Sequence, residues 1–291
     1  MVDNSVSCSP QDFSSEVVFL SPWVKQDFPV FYARLTALLD EHGVWHQLLP
    51  YTNDYWCRDF MPFHTADSDR YLLYRYAPDY LLEHPGWERY ITDAEKVCQA
   101  IGFPYAQTDL VLDGGNMVQA GDYLIMTEKI FKENPDKQPQ EIVDELEKQT
   151  GLKLLLLPWD KEEKYGHADG IVHAVNDRQI LMTNYADFDA GLAAEMVKRL
   201  QKHFEVLHLK YDVARPDPRN WAYINYLDLG NLIVVPALGI AEDAQAIQQI
   251  RKIFPHKKTV SLRMEEIINQ GGALNCISWT LNRKTFATLS R

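Results

Sequence analysis

An α/β fold, a five-bladed propeller of ββαβ units set around an axis, is what the sequence predicts, and three observations predict it. A pattern of amphipathic helix, short apolar strand, loop and hairpin returns five times, at a period of about 50 residues. Each copy mixes helix with strand, which does not suit an all-β propeller of four-stranded blades. One chemically unusual polar segment falls at the same place in every copy.

In the first unit, Val30 to His42 has helical spacing, VWHQLLP is a strand, and a hairpin crosses Ala66 to Arg70. The second has a helix from Glu88 to Ile101 and the hairpin NMVQAGDYLIMTE, turning at Gly121-Asp122. The third runs from a helix over Gln140 to Gln149, through LKLLLLP, into GIVHAVNDRQILMTN with its turn at Asn176 and Asp177. In the fourth, Ala190 to His203 is helical, Val206 to Lys210 is a strand, and AYINYLDLGNLIVVP folds back around Leu229-Gly230-Asn231. The fifth has a helix from Ala241 to Phe254, an alternating strand TVSLR and the strand-forming run CISWTL from Cys276 to Leu281. Five such units, strands inward and helices outward, make one catalytic domain over residues 1–291.

The bulk numbers fit that reading. The chain is 46% apolar and 24% charged, enough to bury a large core. Its formal charge of -12 repels phosphate backbones and anionic lipid, and no Lys/Arg-rich run offsets it, so nucleic acid is excluded as a partner. A negative field mildly favours a cationic small molecule. The opening MVDNSVSCSPQDFSSE is polar, and Val17 to Leu20 is too short for a signal-peptide core or a membrane span. A cytoplasmic protein is therefore expected, with no membrane partner; a homodimer is compatible with the sequence. Cys8, Cys57, Cys98 and Cys276 lie far apart with no CxxC pair, against a disulfide framework or a cysteine-rich zinc site. The stretch Glu128 to Glu147 reads as a solvated acidic helix and its approach.

The polar segments are WCRD ending at Asp59, LDGG with Asp113, GHAD beginning at His167, YIN with Asn225 and GGALNC ending at Cys276. Successive separations, from Asp59 to Asp113, His167, Asn225 and Cys276, are 54, 54, 58 and 51 residues. If rotation about an axis relates the units, these positions form a ring that faces one central cavity. A thiol, an imidazole and carboxylates around one cavity suit attack on a cationic carbon. Paired carboxylates match the N–H fork of a guanidinium, and a cation held beside Cys276 favours the reactive thiolate. Cys276 would add to the carbon; His167 would protonate departing ammonia and then activate water. That chemistry requires neither metal nor organic cofactor.

Each residue also has a plainer reading. An isolated cysteine is usually a packed small hydrophobe; Gly271-Gly272, which allows close backbone approach, moves Cys276 toward function. His167 alone is one of nine histidines. Asp59 could pair with Arg58, Asp113 could form a turn before Gly114-Gly115, Asn225 could bond backbone, and Trp56 could be core or cavity wall. Cys57, on an alternating strand pointing away from Trp56 and Arg58, ranks below Cys276. His167, Asp169 and His173 stand at even offsets and suggest a metal on one strand face. On a strand, however, His167 and His173 would be about 20 Å apart at a rise of about 3.3 Å per residue, too far for a common ion.

From TNDYWCRDFMP (Thr52 to Pro62) through LDGGNM, GHADG and NWAYINYLDLGNLIVVPALG to GGALNCISWT, most of the chain resembles the agmatine deiminase and bacterial peptidylarginine deiminase group of the pentein superfamily. The resemblance implies the five-bladed fold and a deiminase that turns a guanidine, agmatine first, into its ureido product and ammonia through a covalent thiouronium. It implies Cys276 as nucleophile, His167 as acid and base, Asp113 as the acid orienting the histidine, and Asp59 and Asp169 as the guanidinium carboxylates. Asn225 matches an active-site asparagine of the bacterial peptidylarginine branch. Agmatine deiminases are longer, usually carry Glu-Gly-Gly where this chain has Asp113-Gly114-Gly115, and carry Gly-Gly-Gly-Asn-Ile-His-Cys where it has GGALNC. The dimethylargininase branch has Asp at the first of these positions. These departures bear on the substrate tail, so arginine, peptidylarginine, amidinotransfer and a non-catalytic guanidine binder stay open beside agmatine.

Overall fold

The computed structural model describes residues 16–67 and 70–282. Fifteen strands are found there: β1 (Glu16–Leu20), β2 (Trp45–Leu48), β3 (Phe63–His64), β4 (Tyr71–Arg75), β5 (Ala106–Val111), β6 (Val118–Ala120), β7 (Tyr123–Thr127), β8 (Lys153–Leu157), β9 (Val172–Asn176), β10 (Gln179–Met182), β11 (Glu205–His208), β12 (Leu227–Leu229), β13 (Leu232–Ala237), β14 (Lys258–Arg263) and β15 (Ser278–Asn282). They form five three-stranded sheets, β15-β1-β2, β3-β4-β5, β6-β7-β8, β9-β10-β11 and β12-β13-β14. In each sheet the first two strands pair antiparallel, and the third lies parallel to the middle one. The molecule is thus a five-bladed α/β propeller of ββαβ units.

The local chemistry explains the repeat. A parallel third strand needs a crossover, and helical segments supply it in every blade: Pro29–Glu41, Ala94–Ala100, Pro139–Thr150, Ala190–Leu200 and Glu242–Ile253 each stand between a middle strand and its parallel partner. Middle strands such as VVFL and LIVVPA have near-continuous apolar runs because both their faces are covered. Helices bury one stripe, as with Ile142, Leu146 and Thr150 in Pro139–Thr150 and Ala193, Met196 and Leu200 in Ala190–Leu200. The expected hairpin turns at Gly121-Asp122 and Gly230-Asn231 form, both glycines in the left-handed region at φ 53° and 72°.

The first blade is built from both ends of the described chain. β1 pairs with β15 in register from Glu16↔Asn282 to Leu20↔Ser278. Phe19 and Trp279 meet at 5.3 Å between ring centroids, and the Trp279 indole N–H donates to the Pro62 carbonyl at 3.0 Å, tying this blade to the next. Among the described residues no helix is long and apolar enough to cross a membrane.

Four local expectations need correction. The helix expected over Glu88 to Ile101 is two pieces, a 3-10 turn at Trp87–Tyr90 and the helix Ala94–Ala100. Asp93 caps the second by accepting from the Lys96 amide at 3.1 Å, so the chain must leave helical geometry there. Cys57 sits not on a strand but on the one-turn helix Cys57–Phe60, fully buried among apolar side chains. The strand expected from Cys276 begins only at Ser278, leaving Cys276 in the turn before it. The acidic stretch Glu128 to Glu147 is not solvated throughout, because Lys129 and Glu133 are both buried. Cys8 and the hairpin tip at residues 68 and 69 lie outside the described residues.

Candidate functional site

All five spaced residues fall in the connection leading from the third strand of one blade to the first strand of the next. Asp59 lies between β2 and β3, Asp113 between β5 and β6, His167 between β8 and β9, Asn225 between β11 and β12, and Cys276 between β14 and β15. Short helical turns hold four of them: Cys57–Phe60 includes Asp59, Gly114–Asn116 follows Asp113, Ala168–Gly170 follows His167 and carries Asp169, and Asn220–Ile224 precedes Asn225. A strand would alternate its side chains; a tight turn lets one residue per connection point inward.

Cross-links then fix these turns to one another. The Asn116 side-chain oxygen accepts from the Thr127 amide at 2.8 Å and the Ala168 amide at 3.3 Å, joining two blades beside His167. The Arg58 amide donates to the Cys276 carbonyl at 3.0 Å, and the Cys276 amide donates to the Asn225 side-chain oxygen at 3.2 Å. Gly272 lies against Trp56 so closely that a Cβ would come within 2.1 Å of its ring, and a Cβ on Gly115 would be 2.5 Å from His167 Nδ1. The glycines flanking the site are required by close approach, as the pair before Cys276 suggested.

His167 Nε2 hydrogen-bonds Asp113 Oδ2 at 3.0 Å, while Nδ1 faces Asp59 Oδ1 at 3.8 Å. Asp59 Oδ1 also accepts from the Gly115 amide at 3.2 Å. Asp169 Oδ2 accepts from the side-chain amides of Asn225 at 2.9 Å and Asn275 at 2.7 Å, and the Cys276 thiol approaches the same oxygen at 3.6 Å. Cys276 is 7% exposed. It shares with His167, Asp169 and Asn225 a cavity of about 290 Å³, lined also by Tyr165, Tyr185, Trp221, Asp160 and Glu163.

Six of the seven expected site residues fall into two contacting sets, His167 with Asp113 and Asp59, and Cys276 with Asp169 and Asn225. Asp59 and Asp113 flank the imidazole, buried, and do not line this cavity; Trp56 packs edge-on to Tyr55 at 4.5 Å and against Gly272. His173, the other histidine weighed for a metal, stacks on Tyr226 at 4.0 Å instead.

Burial governs the protonation of the site. It pushes the Asp59 carboxyl up to about 8, with His167 pulling the other way and Asp113 and Asp169 adding to the rise. Asp169 is raised by burial too, partly relieved by His167 and by the bond from Asn275. Burial would lower the imidazole, but Asp59 and the bond to Asp113 outweigh it and raise His167 to about 10. The Cys276 thiol is held well above its ordinary range by burial, then by the negative charge of Asp169 and Asp59. Burial and charge thus favour the protonated forms of both the Cys276 thiol and the His167 imidazole at neutral pH.

Sequence reasoning missed Asn275, which stands within GGALNC directly before the cysteine, because a cysteine's neighbour gives no signal until its partner Asp169 is known.

The model of the Porphyromonas-type peptidyl-arginine deiminase family matches residues 30–281. Two curated relatives, each named "Putative agmatine deiminase", come from Mycoplasma capricolum subsp. capricolum, 25% identical over 66% of this chain and 63% of the relative, and from Vibrio parahaemolyticus, 21% identical over 78% and 75%. The chain thus spans under two thirds of the length of the Mycoplasma relative. Among solved structures, the agmatine deiminase of Enterococcus faecalis superposes with a TM-score of 0.74 at 19% identity, over 94% of this chain and 95% of that one. DDAH from Pseudomonas aeruginosa gives 0.59 at 14% identity, over 92% and 99%. These likenesses give the fold, the pentein propeller, and the match of the family model over nearly the whole described chain gives the lineage: this chain belongs to the Porphyromonas-type peptidyl-arginine deiminase family.

Proposed function

We propose that the protein is a cysteine-dependent deiminase that hydrolyses a guanidino substrate, agmatine first, to the ureido product and ammonia. The observation that carries this reading is the meeting of Cys276, His167, Asp169 and Asn225 on one cavity. A guanidinium entering it brings positive charge to Asp169 and Asp59, which removes the main electrostatic reason for Cys276 to keep its proton. The Cys276 proton passes to solvent, and the thiolate attacks the guanidinium carbon, forming a C–S bond as a C–N π bond opens. His167 gives its proton to one amino group, which leaves as ammonia, and a thiouronium remains on Cys276. The neutral imidazole next takes a proton from water; the hydroxide adds to the same carbon, the C–S bond breaks, and the ureido product leaves as its extra proton returns to the Cys276 thiolate. One guanidine and one water give one ureido compound and one ammonia. His167 Nδ1, the nitrogen not engaged by Asp113, faces Asp59.

Agmatine is favoured over arginine by two further carboxylates of the cavity. Asp160 and Glu163 line it among Tyr165, Tyr185 and Trp221. Carboxylates there attract a terminal ammonium and repel an α-carboxylate, while the aromatic walls accept a methylene chain. The relatives' names point to the same substrate. The test is incubation with agmatine and with arginine, measuring ammonia and ureido product. Turnover of agmatine, abolished by Cys276→Ala and by His167→Ala, is expected. A folded protein that gains thermal stability from agmatine yet releases no ammonia is a binder, and transfer to an added amine marks an amidinotransferase; either result rejects the reading.

A further inference from the structure

Behind the imidazole, away from the cavity, lies a buried charge that the reaction as written does not use. Lys129 begins the helix Lys129–Glu133 immediately after β7, and its side chain is 1% exposed. It is the only lysine or arginine among the described residues that is fully buried. Its ammonium stands 2.7 Å from Glu133 Oε1, 3.1 Å from Asp79 Oδ1 and 3.6 Å from Asp113 Oδ2, with the Tyr80 ring 5.0 Å away. Asp113 Oδ2 is also the oxygen bonded to His167 Nε2, and Asp113 Oδ1 finds no hydrogen-bond partner among the described residues. One carboxylate oxygen thus sits between an ammonium and an imidazole.

We propose that Lys129 is a positioning residue of the reaction: a buried cation that steadies Asp113 against His167 and offsets the surrounding negative charge enough for the imidazole to give up its proton once per turnover. The proposal rests on the deiminase reading of the site.

The geometry favours this over a plain structural bridge. A structural lysine would be satisfied by Glu133 and Asp79, both within hydrogen-bonding distance. The separation from Asp113 is longer, so Lys129 acts on that carboxylate as a charge rather than as a bonded donor. Burying an ammonium is costly unless it is paired, and Asp113, Glu133 and Asp79 together outweigh burial and keep it protonated. Around the imidazole, Asp59 approaches from the helix Cys57–Phe60, Asp113 from the turn before Gly114–Asn116 and Asp169 from Ala168–Gly170. Tyr80, on Asp79–Leu82, lies 6.2 Å from the ring, and Tyr165 lies 6.0 Å from it. Tyr76 is buried in the same carboxylate field, and Cys276 shares the cavity. Glu133, raised by burial to about 8, adds to the field only as it ionises. In this surrounding Lys129 is the opposing charge that pulls His167 downward. Without it the imidazolium would hold its proton too tightly to give it to departing ammonia, the first half of the cycle.

The test compares the unaltered protein with Lys129→Met and Lys129→Arg, and with Lys129→Gln as a second neutral variant should methionine prevent folding. Two readouts are taken: the titration of the His167 imidazole by NMR, and rapid-quench mass spectrometry separating formation of the agmatine adduct on Cys276 from its breakdown. In the neutral variants the imidazole should bind its proton about tenfold more tightly or more. Adduct formation should slow about threefold to tenfold, beyond any slowing of adduct breakdown, so that adduct does not accumulate, and KM should change little. Lys129→Arg should restore most of both. Folded neutral variants with lowered thermal stability but an unmoved imidazole titration and an unchanged ratio of the two rates would overturn the proposal and leave Lys129 a structural bridge. The NMR titration needs no turnover, so an inactive unaltered protein would reject the deiminase reading while the effect of Lys129 on His167 is still read directly.

Discussion

Single residues in this site act through a shared field, and Asp59 and His167 show its sign. Asp59 Oδ1 and His167 Nδ1 are 3.8 Å apart, both buried, one pushed up to about 8 and the other to about 10. Below the lower value Asp59 is neutral and gives a guanidinium no counter-charge; as pH rises through it the carboxylate ionises and capture improves. Above the higher value the imidazole has lost the proton that departing ammonia requires. The dependence of kcat/KM on pH reports the free enzyme, so a bell with an alkaline optimum is expected, rising through about 8 and falling through about 10. Since the two groups interact, the limbs belong to the cluster rather than to either residue. Initial rates on agmatine over a pH series check this; an optimum at or below neutrality would contradict the electrostatics argued for the empty site. Cys57 makes the opposite point about residues. It neighbours Asp59 in sequence but is sealed in an apolar cluster, its thiol raised by burial, so thiol chemistry is decided by what surrounds the sulfur.

At the scale of elements, the five blade-to-blade connections carry the chemistry and glycines set how closely they meet. A Cβ at Gly115 would stand 2.5 Å from His167 Nδ1 and 2.7 Å from Asp59 Oδ1, distances that force one of the two to move. Gly115→Ala should fold, at a cost of about 1–3 kcal/mol for overpacking. Its kcat/KM should fall about 100-fold, the expected cost of displacing a reacting group by about 1 Å. Thermal denaturation and steady-state kinetics measure the two effects, and near-normal turnover would mean the imidazole is not held as described. The same connections mark where the sequence is legible. Helices such as Pro139–Thr150 and strands such as β13 could be read because their apolar spacing reflects one covered face or two. The break at Asp93 was hidden because a cap is a local hydrogen bond that periodicity does not record. The one-turn helix around Asp59 was hidden because four residues are too few to show a period. Lys129 and Glu133 were hidden because charges in an acidic run look solvated until the fold supplies partners for burial.

For the whole molecule, the near-constant spacing of Asp59, Asp113, His167, Asn225 and Cys276 was legible because rotation about an axis converts a sequence period into a shared location. What the spacing could not supply was the split between the residues on the cavity wall and those behind the imidazole, since that depends on side-chain direction within each turn. The ring also predicts how the chain tolerates being reopened. The first blade already pairs β15 with β1 without a connecting turn, held by register and by Trp279 packing on Phe19. An equivalent hairpin in the fourth blade, β9 with β10, turns at exposed residues 176–178. Joining residue 291 to residue 1 and opening the chain between Asp177 and Arg178 transfers the open hairpin from one blade to another and leaves the strand order around the ring unchanged. Loop-closure costs grow only by about 0.6 kcal/mol per doubling of length, so exchanging one closure for another should change stability little. The permuted chain should unfold cooperatively, with agmatine turnover within about threefold of the original if the deiminase reading holds, since each connection bearing a site residue is intact. Calorimetry and the ammonia assay test this. A permutant that expresses unfolded would show that the terminal strands seal the ring through something particular to the first blade, and that the five units are not interchangeable in closing it.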